Sequence, residues 1–128
     1  MPRLSPLPPL AIAVLVVSGC GEYREDYACL ASVEPAIILE IRDSVSGAGR
    51  AASAVATVSD GGFSDTLYLL PPDLTDSAYR QGPNERGGTY DLTISTPGYL
   101  TWTLNSIEVD ENVCHVATVR LTAHLTPE

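Results

Sequence analysis

The most reactive side chains of this 128-residue chain belong to three cysteines and two histidines. Cys20 follows a long apolar run, Cys29 lies shortly after it, and Cys114 stands directly before His115 near the other end of the sequence. A thiol can carry a covalent modification, join another thiol in a disulfide or bind a metal ion. Which of these applies depends on the compartment that the chain enters and on the elements that position each cysteine.

The segment before Cys20 has the features of an export signal. Arg3 supplies a positive charge, and residues 10–17 form an uninterrupted apolar run that ends at Ser18 and Gly19. This run fits the roughly 7–15-residue apolar region of a signal peptide and is shorter than the about 20 residues that a membrane-spanning helix needs. The sequence therefore predicts a signal peptide over residues 1–19.

The end of this segment, Val17-Ser18-Gly19-Cys20, resembles the lipobox of bacterial lipoproteins. The resemblance implies that the Cys20 thiol is acylated with diacylglycerol and that the preceding peptide is removed, which anchors the protein in the bacterial cell envelope. Gly21 stands where aspartate would favour inner-membrane retention, so the same resemblance implies the outer membrane, facing the periplasm or the exterior. An ordinary secretory signal with an incidental cysteine, or a membrane helix, is the alternative.

With Cys20 assigned to lipid, Cys29 and Cys114 form an even pair in a compartment where disulfides persist. They are 85 positions apart, and a bridge that closes such a loop would stabilise the fold by roughly 4–5 kcal/mol in the chain-entropy model. The competing interpretation is a metal site built from Cys114, His115 and His124, but it lacks the ligand spacing of a structural zinc site. We therefore expect a disulfide, and neither a metal ion nor another cofactor.

Length and charge limit the remaining possibilities. Removal of the signal leaves about 110 residues, which suits one small domain. The chain has a formal charge of −9, and the signal contains a basic residue, Arg3, but none of the sixteen acidic ones. Nucleic acids and anionic lipid headgroups attract basic patches, so we expect no nucleic-acid binding and only the lipid anchor as a membrane contact.

Alternation of apolar and polar residues predicts an all-β domain. In residues 36–43 it places Ile37, Leu39 and Ile41 on one face. Further strands are predicted over residues 51–59, 63–70, 89–95, 99–105 and 113–125, the last with Cys114 on its outer row. About seven short strands without a helical period predict a single antiparallel β-sandwich.

Two turns connect these strands. Residues 60–62, Asp-Gly-Gly, predict a tight hairpin. Residues 96–99 have proline and glycine at their centre, which predicts a type II turn. Asp43 is expected to cap amides of the glycine-containing turn that follows it.

Residues 71–88 contain too many prolines and glycines for a regular element, and a loop of this length is either functional or loosely ordered. It supplies the candidate binding residues Asp73, Asp76, Tyr79 and Arg80. A platform for sugar rings or a peptide is a further possibility, built from Tyr68, Tyr79, Tyr99 and Trp102, although Trp102 is expected in the core.

A calcium site is the other use for acidic loop residues. Asp60, Asp65, Asp73 and Asp76 offer hard oxygen ligands near glycine turns. Their spacing matches no EF-hand loop, and scattered acids on an acidic protein usually form a solvated face. We therefore expect no calcium site.

Several of these segments together resemble the carboxypeptidase regulatory-like domain. They are the strand ending at Asp43, the small-residue strand after it, the segment Gly88-Thr89-Tyr90-Asp91-Leu92-Thr93-Ile94 and the turn Pro97-Gly98-Tyr99. The resemblance covers residues 36–125 and implies a transthyretin-like or Ig-like sandwich, preceded by a lipidated tether over residues 20–35. Such modules occur in peptidases, receptors and surface lipoproteins alike, so the resemblance does not assign an activity. The chain departs from the family at Gly47-Ala48, where Thr-Gly followed by proline is usual.

Catalysis is not expected. Hydrolases with a transthyretin-like fold end in Tyr-Arg-Gly-Ser, whereas this chain ends Thr126-Pro127-Glu128. It also lacks a nucleophile elbow, and adjacent residues on a strand, such as Cys114 and His115, point to opposite faces. We expect a non-catalytic binding or accessory module with a protein or carbohydrate partner. The alternatives are a structural spacer or assembly subunit and, more remotely, a small hydrolase.

Overall fold

The computed structural model describes residues 31–70 and 78–128, together with Gly19 and Cys29. The predicted lipidation residue Cys20 and the loop residues Asp73 and Asp76 lie outside these described residues, as does most of the predicted signal peptide and tether. Within the described part of the chain, no helix has the length and hydropathy that crossing a membrane requires.

The described residues form eight strands and one short 3₁₀ turn, Ala51–Ser53. The strands are β1 (Pro35–Asp43), β2 (Val55–Asp60), β3 (Phe63–Thr66), β4 (Tyr68–Leu69), β5 (Tyr79–Asn84), β6 (Gly88–Ser95), β7 (Trp102–Val109) and β8 (Val119–Leu125).

The strands build two four-stranded sheets. Sheet 1 has the order β4-β5-β1-β8 and sheet 2 the order β3-β2-β6-β7. The predicted all-β sandwich is therefore confirmed, with eight described strands instead of about seven. One detail is different, because β1 and β8 pair in parallel. The two strands are far apart in the chain, and no hairpin forces them to run antiparallel.

Side chains from both sheets meet in one core. Ile37, Leu39 and Ile41 of β1 are fully buried, as the alternation predicts, and so are Leu92 and Ile94 of β6. The outward side chains of β1 are only partly exposed, because β5 and β8 flank this strand on both sides. The period-two pattern therefore predicts correctly which side chains of β1 and β6 face the core.

Two predicted strands differ from the observed ones in the residue where they begin or in being interrupted. Residues 51–53 form the 3₁₀ turn and not the start of β2, and the buried side chains of Ala51 and Ala54 hold this turn against the core. The predicted strand over residues 63–70 divides at the buried Leu67, where the chain passes from sheet 2 to sheet 1. The Leu67 amide donates to the Ala56 carbonyl at 2.8 Å at this crossing.

The prediction of one long irregular loop over residues 71–88 is wrong for residues 79–84. These residues form β5, which lies inside sheet 1 between β4 and β1. The strand contains Gly82 and Pro83, joined by a cis peptide bond, and this composition conceals it in the sequence. Gly82 has a φ of +133°, and the Tyr68 ring lies over it, so that an added Cβ atom would lie 3.4 Å from Cε1 of Tyr68.

Both predicted turns are confirmed. Gly61 has a φ of +57° between the paired residues Asp60 and Phe63. Gly98 has a φ of +82°, the value that the third position of a type II turn requires. After this second turn the strand starts at Trp102 and not at Tyr99, and Trp102 packs against the core while only partly buried.

Candidate functional site

Cys29 and Cys114 form the predicted disulfide, with a Cα–Cα distance of 5.2 Å. Cys114 does not lie on a strand, contrary to prediction, because β8 starts at Val119. The Asn112 side chain explains the irregular backbone, since its Oδ1 accepts the amides of Cys114 at 2.9 Å and His115 at 2.8 Å. As half of a disulfide, Cys114 has no thiolate for a metal ion or a nucleophilic step.

An open cleft of about 400 Å³ lies beside this disulfide. Ser32 and Val33 line it from the described residues before β1, Cys29 and residues 31–34, which we call the N-terminal segment. Residues 111–116 line it from the connection between β7 and β8, and Glu85 lines it from the turn after β5. The cleft is thus the place where the N-terminal segment meets two connections of the sandwich.

Glu85 joins these three segments. Its Oε1 accepts the Glu34 amide at 2.8 Å and lies 2.7 Å from Nδ1 of His115, and its own amide donates to the Glu34 carbonyl at 2.9 Å. These contacts lower the pKa of the Glu85 carboxyl, chiefly through the Glu34 amide and next through the hydrogen bond with His115. Glu85 holds the N-terminal segment against the sandwich from inside the cleft.

The other charged residues of the cleft also make internal contacts. Glu111 accepts the Gly87 amide at 2.6 Å through Oε1. The His115 side chain is only 19% exposed beside Glu85. We therefore interpret the cleft as the junction between the N-terminal segment and the domain. Sequence reasoning missed Glu85 and Glu111 because their partners are remote in the chain.

Tyr79 and Arg80, predicted as loop residues for binding, lie instead on β5. The Arg80 side chain points inward, where Nε donates to the Ala51 carbonyl at 2.8 Å and Nη1 to the Leu67 carbonyl at 2.9 Å. Burial lowers the pKa of this guanidinium. Arg80 is therefore a structural residue that connects the 3₁₀ turn to the crossing at Leu67. Tyr79 pairs with Glu40 and is partly exposed.

Tyr99 links the turn of residues 96–99 to the connection that follows β1. Its hydroxyl donates to Oδ2 of Asp43 at 2.6 Å and accepts Nε of Arg50 at 2.8 Å. Oδ1 of Asp43 caps the amides of Val45 and Ser46, as predicted for this turn. Tyr99 and then these amides lower the pKa of Asp43 to about 2. The Tyr99 hydroxyl thus has a structural role.

A second unpredicted cluster surrounds Arg86. Its guanidinium lies 3.7 Å from the centre of the Phe63 ring and bonds both the Tyr90 hydroxyl, at 3.0 Å, and Asp60, at 3.2 Å. The hydrogen bond with Tyr90 is the main cause of a raised Arg86 pKa. The cluster links the β2–β3 hairpin to the start of β6. It also pairs Asp60, one of the four candidate calcium ligands, with Arg86.

Within the described ranges, no group of three or more His, Cys, Asp or Glu side chains could hold a metal ion. Of the remaining calcium candidates, Asp65 lies on β3 and accepts the Thr66 amide at 2.9 Å. His124 is exposed on β8, away from the Cys114–His115 turn.

The comparisons with known proteins do not assign the chain to a family. No family model matches the sequence, and no curated protein matches it.

Proposed function

We propose that the protein is a lipid-anchored, non-catalytic protein of the bacterial cell envelope whose sandwich serves as a binding or accessory module. The observation that carries this proposal is the pairing of Cys29 with Cys114, which leaves only Cys20 outside the disulfide. Cys20 ends a sequence that resembles an export signal with a lipobox. Its acylation gives each of the three cysteines a chemical role.

The junction at the cleft supports an anchor on the N-terminal side. The disulfide and Glu85 fasten the N-terminal segment to the sandwich at two points, so a pull from the membrane acts on a covalent bond close to the domain. The chain between Cys20 and Cys29 spans at most about 30 Å, at roughly 3.3–3.6 Å per residue. The sandwich would then lie near the surface of the membrane, which we propose to be the outer membrane.

Two four-stranded sheets around one core agree with the resemblance to carboxypeptidase regulatory-like domains, and we propose this family for residues 36–125. The fold does not specify a ligand, because sandwiches of this kind serve many functions.

Metabolic labelling with an alkyne fatty acid in a bacterial host tests the anchor. We expect label on the full chain and on the double variant Cys29→Ser/Cys114→Ser, and no label on Cys20→Ser. The double variant is the matched control, because it also removes thiols but leaves the lipobox-like sequence intact. An unlabelled full chain, or label retained by Cys20→Ser, would contradict the proposal.

One observation favours the assembly alternative. Leu100 is 55% exposed and Leu104 of the edge strand β7 is 38% exposed, and an exposed edge strand can pair with another chain. Sedimentation of the detergent-solubilised protein over a range of concentrations separates the two functions. A monomer at all concentrations favours the binding module, and a stable oligomer that Leu104→Ser dissociates favours the assembly subunit.

A further inference from the structure

The outward side chains of sheet 1 form one surface, which we call the polar face. They alternate with the buried residues of the same strands, and strand pairing places them side by side. A contact between Thr122 and Glu40 at 3.5 Å and the ion pair between Glu40 and Arg42 lie on this surface. The polar face comprises Tyr68 of β4, Tyr79 and Gln81 of β5, Ile38, Glu40 and Arg42 of β1, and Arg120, Thr122 and His124 of β8.

One row of cross-strand neighbours runs across the whole face. Tyr68 pairs with Gln81, Gln81 with Ile38, and Ile38 with Arg120. Neighbouring strands are about 4.8 Å apart, so the backbones that carry the aromatic ring of Tyr68 and the guanidinium group of Arg120 are about 14 Å apart.

The aromatic end of the row is held in place. The Tyr68 hydroxyl accepts Nε2 of Gln81 at 2.8 Å and donates to Oδ1 of Asn84 at 2.9 Å, while the ring lies over Gly82. The side chain is nevertheless 42% exposed. A fixed, exposed ring can stack against a flat partner with little loss of side-chain entropy.

The other end of the row carries an available positive charge. Arg42, Arg50, Arg80 and Arg86 all bond protein groups. Arg120 is exposed and has no hydrogen-bond or ion-pair partner within the described part of the chain. His124 lies on the same strand and the same face. A guanidinium in this position can bond a carboxylate through two parallel hydrogen bonds.

Charge distinguishes this face from the opposite one. The outward side chains of β2, β6 and β7 include Asp91 and Glu108 and no arginine or histidine. Packed sheets are about 10 Å apart, and the Debye length is about 8 Å at physiological ionic strength, so the acids of one face are screened from a ligand on the other. An acidic ligand is therefore complementary to the polar face in spite of the negative charge of the whole chain.

We propose that the polar face binds an acidic saccharide, with a sugar ring on Tyr68 and a carboxylate on Arg120. The proposal names a ligand class for the binding module and rests on that proposed function. Gln81 of β5 and Glu40 of β1 lie on the strands between the two ends, and Thr122 lies beside Arg120 on β8, so all three present polar groups to sugar hydroxyls. Ile38, the single aliphatic residue of the nine, is partly buried. A peptide that anchors through apolar side chains would find one aliphatic partner among the nine residues, the partly buried Ile38.

Three probes of similar size separate the contributions of ring and charge. They are tetragalacturonate, which has both, maltotetraose, which has rings without charge, and tetraglutamate, which has charge without rings. We expect the detergent-solubilised full chain to bind tetragalacturonate at least about tenfold more tightly than either other probe, because each of them lacks one of the two contacts. Equal binding of either control probe, or no binding of tetragalacturonate, would overturn the proposal.

Variants locate the site. Arg120→Gln and Tyr68→Ala are each expected to weaken tetragalacturonate binding at least about tenfold, with unchanged circular dichroism. Glu108→Gln, which changes one charge on the opposite face, is the control and should leave affinity within about twofold, since that charge is screened. Unaltered binding by Arg120→Gln, or an equally large change with Glu108→Gln, excludes this face. A full chain that is labelled by the fatty acid but does not bind the saccharide would contradict the proposed ligand class and support the proposed lipid anchor. A full chain that binds the saccharide without being labelled would support the ligand class and contradict the anchor.

Discussion

Oε1 of Glu85 lies 2.7 Å from Nδ1 of His115 and also accepts the Glu34 amide, so that one carboxylate connects three segments that are remote in the chain. Glu85 has a positive φ of 51°, an uncommon conformation that places it between these partners. Because these contacts favour the ionised carboxylate, the free energy of unfolding depends on pH in the acid range.

The lowered pKa of Glu85 predicts a contribution to stability that depends on pH. It is fully present above the ordinary value of 4.5 and is lost as the pH falls through the lower value of the folded state. We expect Glu85→Gln to unfold at a lower urea concentration at pH 6 and to show a smaller loss of stability than the wild type below pH 4.5. Urea titrations at several pH values measure both effects. Parallel pH dependence in the two proteins would contradict this role.

Tyr99→Phe removes the main cause of the low pKa of Asp43. With a folded pKa of about 2 and an ordinary value of 3.8, Asp43 contributes stability that is complete above pH 3.8 and is lost toward pH 2. The variant should raise the Asp43 pKa toward 3.8 and reduce this contribution. Carbon-13 NMR of the Asp43 carboxyl measures the shift. Tyr79→Phe, which alters a tyrosine remote from Asp43, is the control, and a pKa unchanged by Tyr99→Phe would show that the hydroxyl is not the cause.

Loss of the disulfide should destabilise the fold strongly. For a loop of 85 positions the double variant Cys29→Ser/Cys114→Ser is expected to lose roughly 4–5 kcal/mol of unfolding free energy. Urea denaturation of the oxidised protein and the variant measures the difference. Cys20→Ser should unfold like the wild type, because Cys20 is outside the bridge. An equal loss in Cys20→Ser would mean that the bridge involves different cysteines.

Arg80→Met tests whether Arg80 has a structural role. The change leaves the carbonyls of Ala51 and Leu67 without their donors, and the loss of such partners costs about 1–3 kcal/mol. Arg120→Met, on the exposed face, should stay within about 0.5 kcal/mol of the wild type. Thermal and urea unfolding measure both variants. If Arg80→Met proved as stable as Arg120→Met, the inward hydrogen bonds would have no energetic importance.

The sequence predicts the parts of the fold that depend on local patterns. Alternation identifies β1 and β6 because each has one buried face, and the glycine positions identify the two turns because only a few residues accept positive φ. The disulfide follows from the number of cysteines and from the resemblance of the first residues to an export signal. In each case the deciding information lies within a few residues or in the residue type itself.

The remaining features depend on partners that are distant in the sequence. β5 contains Gly82 and Pro83 and is held by β1 and β4, so its composition alone suggests a loop. Asn112 turns the backbone at Cys114 although the apolar alternation continues through it. Glu85 gains its role from Glu34 and His115, which are 51 and 30 positions away. Long-range pairing decides all three.

The assignment of the three cysteines is tested most directly by mass spectrometry of the mature protein, digested without reduction. We expect an N-terminal peptide that begins at Cys20 and carries the added mass of the lipid, together with a peptide pair that joins Cys29 to Cys114. An unmodified N-terminus at any other residue, or a disulfide that includes Cys20, would contradict it.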